Sequence, residues 1–502
     1  MGEPSFFLTR ILEALRGEGE KTAFRWHDRV LSYRAALGVL GGIHDALATE
    51  GIGRGELLAI VGGNRPETLL AQLAAQLRGT PVLPVTASSS LPDRLAALAA
   101  AEATTLVIDP DREPRKTREL IEAVRPDRVL SLGPTEPWMP HRAKDLLSRS
   151  AVDPKFAVPP SVRMVFPSGG TTGTPKLIGH SGIYEGMARI FAPDPAGPQR
   201  ILLVAPLSHL TGNCAALGAL LCGDTLVLHD GFDAGAVLRS IAADRITSLT
   251  LTPPRLAALL DHPDLPGTDV SSVRSLSLGA SPLPPDLLRR ALEVFGPVVG
   301  QGYGLTEAPM IASIAAPEFD GHPHRLASVG RIVPGMSAKI DGDGGTGEVL
   351  VRGLALMDGY HGQPELDAAA FTGDGWLRTG DIGRFDAEGY LYLLDRANDV
   401  IVTGEHGTKI YSNVVESALA AHPRVRQAAV FGVPDPRGGE AVHAVVVSAN
   451  PAPTAEELRT HLRAHFDAEH FVPATIEFAE SLPLTPIGKV DKKSLRAQHP
   501  LP

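Results

Sequence analysis

The run Ser168-Gly169-Gly170-Thr171-Thr172-Gly173-Thr174-Pro175-Lys176 concentrates more chemical potential than any other stretch of the chain. It directly follows RMVFPS, an apolar β-rich run that predicts a strand. Its glycines free the backbone to approach a phosphate, while the hydroxyls and exposed N–H groups can wrap phosphate oxygens. It is not a Walker loop, because Gly173 is not followed by Lys-Ser or Lys-Thr. A second cluster, Tyr303-Gly304-Leu305-Thr306-Glu307, offers a hydroxyl and a carboxylate, and a carboxylate is what a hard cation requires. Shorter patterns complete the set: Gly279-Ala280-Ser281 at a predicted strand end, Gln301-Gly302 ahead of Tyr303, Thr379-Gly380-Asp381, Asp395-Arg396, and the terminal run Pro483 to Asp491 that contains Lys489. Taken singly these are bland. A Gly-rich strand end is usually a turn, TGD a surface turn, and Lys489 a solvated lysine.

The elements that must position these residues follow from periodicity. From Arg163 to about Gln301 the apolar runs RMVFPS, RILLVAP, DTLVLHD, TSLTLTPP and VRSLSLGAS alternate with helical stretches such as PPDLLRRALEVFG, which reads as β-α-β winding around a largely parallel sheet. An earlier alternation, GELLAIVGG, RPETLLAQLAAQLRG and TPVLPV, predicts a second related unit near the N-terminus. Between Asp341 and Arg396 short strands with Gly-rich turns predict a β-rich subdomain. Beyond Asp395 a small α+β pattern follows, including a helix opened by a capping box from Thr454 to Glu457.

Composition bounds the partners. A net charge of −10 over 502 residues provides no basic field for nucleic acid or an anionic membrane, so any nucleotide must be held by a local site. The two cysteines, Cys214 and Cys222, share one apolar helix-like stretch, which indicates neither a disulfide framework nor a zinc site and fits a reducing cytosol. The opening residues lack the order of a signal peptide, and no apolar run approaches the ~18 residues of a membrane span. A soluble, cytoplasmic protein is expected, as monomer or homodimer.

Read together and in order from residue 168 to 491, the motifs resemble those of the superfamily that includes acyl-CoA synthetases, peptide-synthetase adenylation domains and firefly-type luciferases. The resemblance implies an α/β fold: a large N-terminal lobe, 1–395, of two doubly wound sheets plus a β-rich subdomain, and a small mobile α+β lobe, 396–502. It implies ATP, magnesium and coenzyme A as the thiol substrate. It also distributes roles. Ser168 to Lys176 would hold the departing phosphates. Gly279, Ala280 and Ser281 would contact adenine, with Gln301, Gly302, Tyr303 and Gly304 beside them. Thr306 would meet the α-phosphate, Glu307 magnesium, and Asp381 with Arg396 the ribose. Lys489 would be the catalytic cation bridging carboxylate and α-phosphate, where positive charge must offset two approaching anions. His209 would stand between acid pocket and thiol tunnel, with Leu210, Gly212, Asn213 and Gly302 lining the acid site. Gly404, Gly407 and Lys409 would face coenzyme A after the small lobe turns about a hinge at Asn398.

Two departures from the family pattern stand out. Asn398 occupies a hinge position that usually carries Asp or Lys, and Glu405 and His406 separate glycines that are normally adjacent. They motivate the alternative of a ligase specialised for one half-reaction. The loop and terminal motif most resemble the aryl-acid branch, whereas Leu210 replaces that branch's polar Asn. The implied substrate is therefore an aryl or bulky apolar carboxylic acid of a specialised pathway. Gly212, Ala215, Ala216 and Gly218 leave space for such an acid, or equally serve close helix packing. A stand-alone enzyme that loads an acyl carrier protein is the other alternative. A pseudoenzyme scaffold would lose charged reacting groups before glycines, and Lys489, Glu307, Asp381 and Arg396 are all present. A kinase or P-loop NTPase leaves the terminal lysine unexplained.

Overall fold

The computed structural model describes residues 3–87, 89–168, 175–403, 408–435, 439–466, 468–485 and 488–498. The chain forms two compact units, the first from 1–250, 306–309 and 354–369, the second from 251–305, 310–353 and 370–502.

The first unit contains an eight-stranded sheet ordered Gly359–Tyr360, Lys176–His180, Met164–Ser168, Val82–Thr86, Leu58–Gly62, Thr105–Ile108, Arg128–Ser131 and Lys144–Asp145. Its centre is parallel, with Leu58 opposite both Val82 and Thr105. Val82–Thr86 and Thr105–Ile108 are buried along their whole length, which is why these segments read as continuous apolar runs rather than alternating ones. The helix Pro66–Leu77 is buried at every residue, and Pro66 at its first turn supplies the fixed φ that a helix start favours.

A further set of strands in the same unit runs in the order Ser248–Leu251, Arg200–Leu203, Thr225–Leu228, Thr22–Trp26 and Arg29–Ser32. Here the structure corrects the expectation of one winding from Arg163 onward. Met164–Ser168 pairs with Val82 in the first sheet, whereas the N-terminal strand Thr22–Trp26 joins Thr225–Leu228. Periodicity specifies a strand and its buried face, but the partner is chosen by apolar surface distant in sequence.

In the second unit, Ser275–Gly279 lies parallel to Val299–Leu305, with Gly279 opposite Gly302. An antiparallel sheet of Met336–Asp341, Gly347–Gly353, Leu377–Phe385 and Leu391–Arg396 forms the expected β-rich part. The C-terminal α+β pattern is a sheet of Val425–Pro434, Glu440–Ser448 and Thr475–Phe478 whose core includes Val415, Leu419, Val430, Ala444, Leu458 and Leu462. The helix Ala455–His465 carries the anticipated capping box: Thr454 Oγ1 accepts from Glu457 N at 3.2 Å and Glu457 Oε2 accepts from Thr454 N at 2.7 Å. Among the described residues no helix is long and apolar enough to cross a membrane.

Candidate active site

In the first unit, Met164–Ser168 and Lys176–His180 form an antiparallel hairpin with Ser168 opposite Lys176. The register fixes the two ends of the predicted phosphate loop. Gly169, Gly170, Thr171, Thr172, Gly173 and Thr174 lie outside the described residues. Glu307 comes close to the same hairpin through Tyr360, whose hydroxyl donates to Glu307 Oε1 at 3.0 Å and stands 3.4 Å from Lys176 Nζ. Burial, and then the Glu307 carboxylate, push the Tyr360 hydroxyl well above its ordinary range, so it remains a donor. Thr306 is half-buried, and its carbonyl accepts from His180 Nε2 at 2.6 Å. His180 is completely enclosed, and burial lowers its pKa, keeping the imidazole neutral. Glu307 supplies the hard oxygen donor that magnesium takes when most of its other ligands are phosphate oxygens and water, so this donor set fits the ion.

His209 ends a loop clamped by amides. Asn64 Oδ1 accepts from Leu207 N at 2.8 Å, and its Nδ2 donates to the carbonyls of Ala205 and His229, each at 2.9 Å. His209 is the N-cap of the helix Leu210–Cys222, with Nε2 3.4 Å from Thr86 Oγ1, which is itself 2.8 Å from Ser208 Oγ. Leu210 is buried, and Asn213 is fully enclosed, its amide bonded to Gln72, Tyr184 and the Leu207 carbonyl. A Cβ on Gly212 would meet the Pro206 carbonyl oxygen at 2.3 Å, and one on Gly218 would meet the Phe191 ring at 3.3 Å. Their small size therefore serves close packing of the helix.

In the second unit, Asp381 and Arg396 are opposite one another on neighbouring antiparallel strands. Arg396 Nε contacts Asp381 Oδ1 at 2.9 Å, and the Tyr303 hydroxyl donates to Asp381 Oδ2 at 2.6 Å. Asp381 and Tyr303 are buried; Arg396 is half exposed. Gly279 accommodates the neighbouring strand, since a Cβ there would stand 2.7 Å from the Gly302 carbonyl oxygen. Ala280 follows at φ 68°, a left-handed conformation that costs a non-glycine residue energy and recurs at functional turns. Nearby in sequence, Ser281 Oγ and Gln301 Oε1 are buried and bond nothing among the described residues. Buried polar atoms without partners are costly, and a ligand offering complementary groups would relieve them. Gly302 faces open space apart from Met310 Sδ at 4.0 Å.

The terminal lysine lies in a segment of which residues 486 and 487 are outside the described residues. Lys489 N donates to Thr485 Oγ1 at 3.1 Å, and Leu484 and Val490 form an antiparallel bridge. Gly488, at φ 79°, presses this segment against the N-terminus of the helix Pro253–Leu260: its carbonyl accepts from Thr252 Oγ1 at 3.1 Å, and a Cβ would stand 2.8 Å from Arg255 Nε. Asn398 lies exposed in a turn just after Arg396. Preceding it, Asp395 is buried and accepts from the Ser412 backbone N–H and hydroxyl; burial pushes its pKa up to about 6 against the opposing pull of Lys492. Lys409 is exposed on the strand Thr408–Ile410, whereas Gly404 and Gly407 lie outside the described residues. Sequence reasoning missed Tyr360, His180, Thr252 and Ser412. Only Thr252, in the quoted run TSLTLTPP, stood within a segment already singled out.

Residues 12–361 match the AMP-binding enzyme family and residues 414–489 the AMP-binding enzyme C-terminal domain. The chain is 34% identical to the medium/long-chain fatty acid–CoA ligase FadD8 of Mycobacterium tuberculosis, over 96% of this chain and 86% of that one. It is similar to the amide bond synthetase McbA from Marinactinospora thermotolerans, with a TM-score of 0.86 and 35% identity over 98% of this chain and 99% of that one. It is also similar to the o-succinylbenzoate CoA synthetase of Bacillus subtilis in complex with its acyl-adenylate intermediate, with a TM-score of 0.80 and 28% identity over 99% and 98% of the two chains.

Proposed function

The chain belongs to the AMP-binding enzyme family, and from that premise we propose how its two groups of polar residues divide the work of an acid–CoA ligase. The enzyme joins a carboxylic acid to coenzyme A at the expense of ATP through an acyl-adenylate. In the first half-reaction a carboxylate oxygen attacks the α-phosphorus, forming acyl-AMP and breaking the bond to pyrophosphate. In the second, the thiol attacks the acyl carbonyl, giving the thioester, AMP and a proton.

We assign the nucleoside to the second unit, with Asp381 and Arg396 on the ribose hydroxyls and Gly279 to Ser281 with Gln301 to Gly304 around the adenine. The observation that carries this assignment is the doubly held Asp381 accompanied by two buried polar atoms, Ser281 Oγ and Gln301 Oε1, that bond nothing among the described residues. The phosphates are assigned to Ser168–Lys176 and Thr306 of the first unit. Glu307 would hold magnesium, which, when bound, neutralises charge on the phosphate oxygens. Lys489 pairs with the attacking carboxylate and the α-phosphoryl oxygens as charge grows on them. We assign His209, which follows the loop that Asn64 clamps, to the acyl group, and the acid is aryl or bulky and apolar. Residues 396–502 form the lobe that turns about Asn398 between half-reactions, bringing Gly404, Gly407 and Lys409 to the thiol.

A second reading keeps the adenylation step and replaces the thiol with an amine. The 35% identity to an amide bond synthetase over 98% of this chain favours testing it. Mass spectrometry of protein incubated with ATP, magnesium, aryl, medium-chain and polycyclic acids, and either coenzyme A or an amine, decides. Acyl-CoA with AMP is expected. Acyl-AMP that reacts with amine but not coenzyme A would replace the ligase with an amide synthetase, and acyl-AMP that reacts only with a carrier protein would make it a loading enzyme.

A further inference from the structure

The segment Met357–Gln363 contains none of the motifs that marked the site, yet it ties the metal-type carboxylate to the phosphate hairpin. Met357 N donates to the Glu307 carbonyl at 2.8 Å. Asp358 N and His361 N donate to the carbonyls of Gly179 and Leu177 in the hairpin strand, at 2.8 and 2.6 Å. Gln363 braces the downstream arm of the phosphate loop, accepting from Leu177 N at 3.0 Å and donating to the Pro175 carbonyl at 3.1 Å. Tyr360 lies inside this strap, 5% exposed, with its backbone N–H donating to Asp367 at 2.7 Å. The hydroxyl it presents therefore has little freedom to move.

That hydroxyl serves two charged partners. It donates to Glu307 Oε1 at 3.0 Å and lies 3.4 Å from Lys176 Nζ, whose ammonium also stands 5.2 Å from the centre of the tyrosine ring. Among the described residues Glu307 Oε2 carries no hydrogen bond, so one carboxylate oxygen is oriented while the other is left for a ligand. A long flexible carboxylate and a long flexible ammonium are thus held at a set separation before any ligand arrives, which lowers the ordering cost of binding.

We propose that Tyr360 is a positioning residue for the metal-bound triphosphate, setting the Glu307 carboxylate and the Lys176 ammonium through one shared hydroxyl. The inference rests on the assignment of Glu307 to magnesium. Tyr360→Phe removes the hydroxyl and keeps the ring. Calorimetric titration of the full chain with ATP across a magnesium series, without any acid present, reads binding independently of turnover. The variant is expected to bind magnesium–ATP about tenfold more weakly and to need correspondingly more magnesium for half-saturation. In a Glu307→Gln background the same substitution is expected to add less, about threefold, because only the part acting through Lys176 remains. Unchanged binding in Tyr360→Phe, or equal weakening in both backgrounds, would overturn the proposal. If Glu307→Gln alone left the magnesium dependence unchanged, the Glu307 assignment would fall and the proposal with it. Normal magnesium–ATP binding without acyl-AMP formation would instead count only against the substrate reading.

Discussion

The two clusters assigned to ATP are built on opposite plans. In the second unit, Asp381 and Arg396 meet as direct cross-strand neighbours, and Tyr303 completes a chain in which both oxygens of a buried carboxylate are engaged. In the first unit, Glu307 and Lys176 come from segments far apart in sequence and share a single tyrosine hydroxyl from a third. A carboxylate satisfied on both oxygens is suited to holding a neutral sugar in one pose. A carboxylate and an ammonium with bonding capacity to spare are suited to groups whose charge changes during reaction. On this assignment both clusters act on ATP binding, the Asp381 cluster on the nucleoside and the Glu307–Lys176 pair on the magnesium-bound phosphates, so substitutions in the two regions should differ in their magnesium dependence.

The largest expected effect comes from the terminal lysine. Lys489→Ala should slow acyl-AMP formation about a hundredfold or more while leaving ATP binding nearly intact, the signature of a group used only as charge develops. Pre-formed acyl-adenylate should still react with coenzyme A, and stopped-flow comparison of the two half-reactions checks this. Asp381→Asn tests the nucleoside cluster. It removes the charge that Tyr303 and Arg396 both address, and should raise the KM for ATP about tenfold with a smaller change in kcat. A fall in kcat alone would contradict the assignment of Asp381 to nucleoside binding.

Asp395 offers a pH test near Arg396. Its folded pKa of about 6 lies above the ordinary carboxylate value, so the folded state binds the extra proton in the window between them. Stability associated with this group is therefore greatest below about pH 4, declines as pH rises through 4 to 6, and stays lower above. Subtracting the profile of Asp395→Asn from that of the unaltered protein should isolate a decline of roughly 3 kcal/mol across that window in denaturant titrations. The smallest effect is predicted at Thr252. Thr252→Val removes the hydroxyl that bonds the Gly488 carbonyl and should slow adenylation about fivefold without altering ATP affinity, measured as single-turnover acyl-AMP formation.

Much of the fold could be read from local pattern. Strands such as Leu58–Gly62 and Ser275–Gly279, and the capping box at Thr454, are encoded within a few residues. Sheet membership was not, because Met164–Ser168 and Thr22–Trp26 find partners through surfaces far away in the chain. The same division holds in the site. Asp381, Arg396, Glu307 and Lys489 announce themselves by motif. Tyr360 acts 53 residues from Glu307 and 184 from Lys176, and His180 reaches the Thr306 carbonyl across 126 residues. No spacing rule reports such contacts. Gly212 and Gly218 show the converse, since small residues that could border a substrate are explained by the Pro206 carbonyl and the Phe191 ring against them.

The most direct test of the adenylating mechanism is acid-dependent exchange of labelled pyrophosphate into ATP by the purified chain. Label is expected to enter ATP only when a suitable aryl or apolar acid is present, Lys489→Ala to suppress the exchange, and AMP to be the nucleotide product once coenzyme A is added. Release of ADP, or exchange indifferent to every acid and to Lys489, would contradict it.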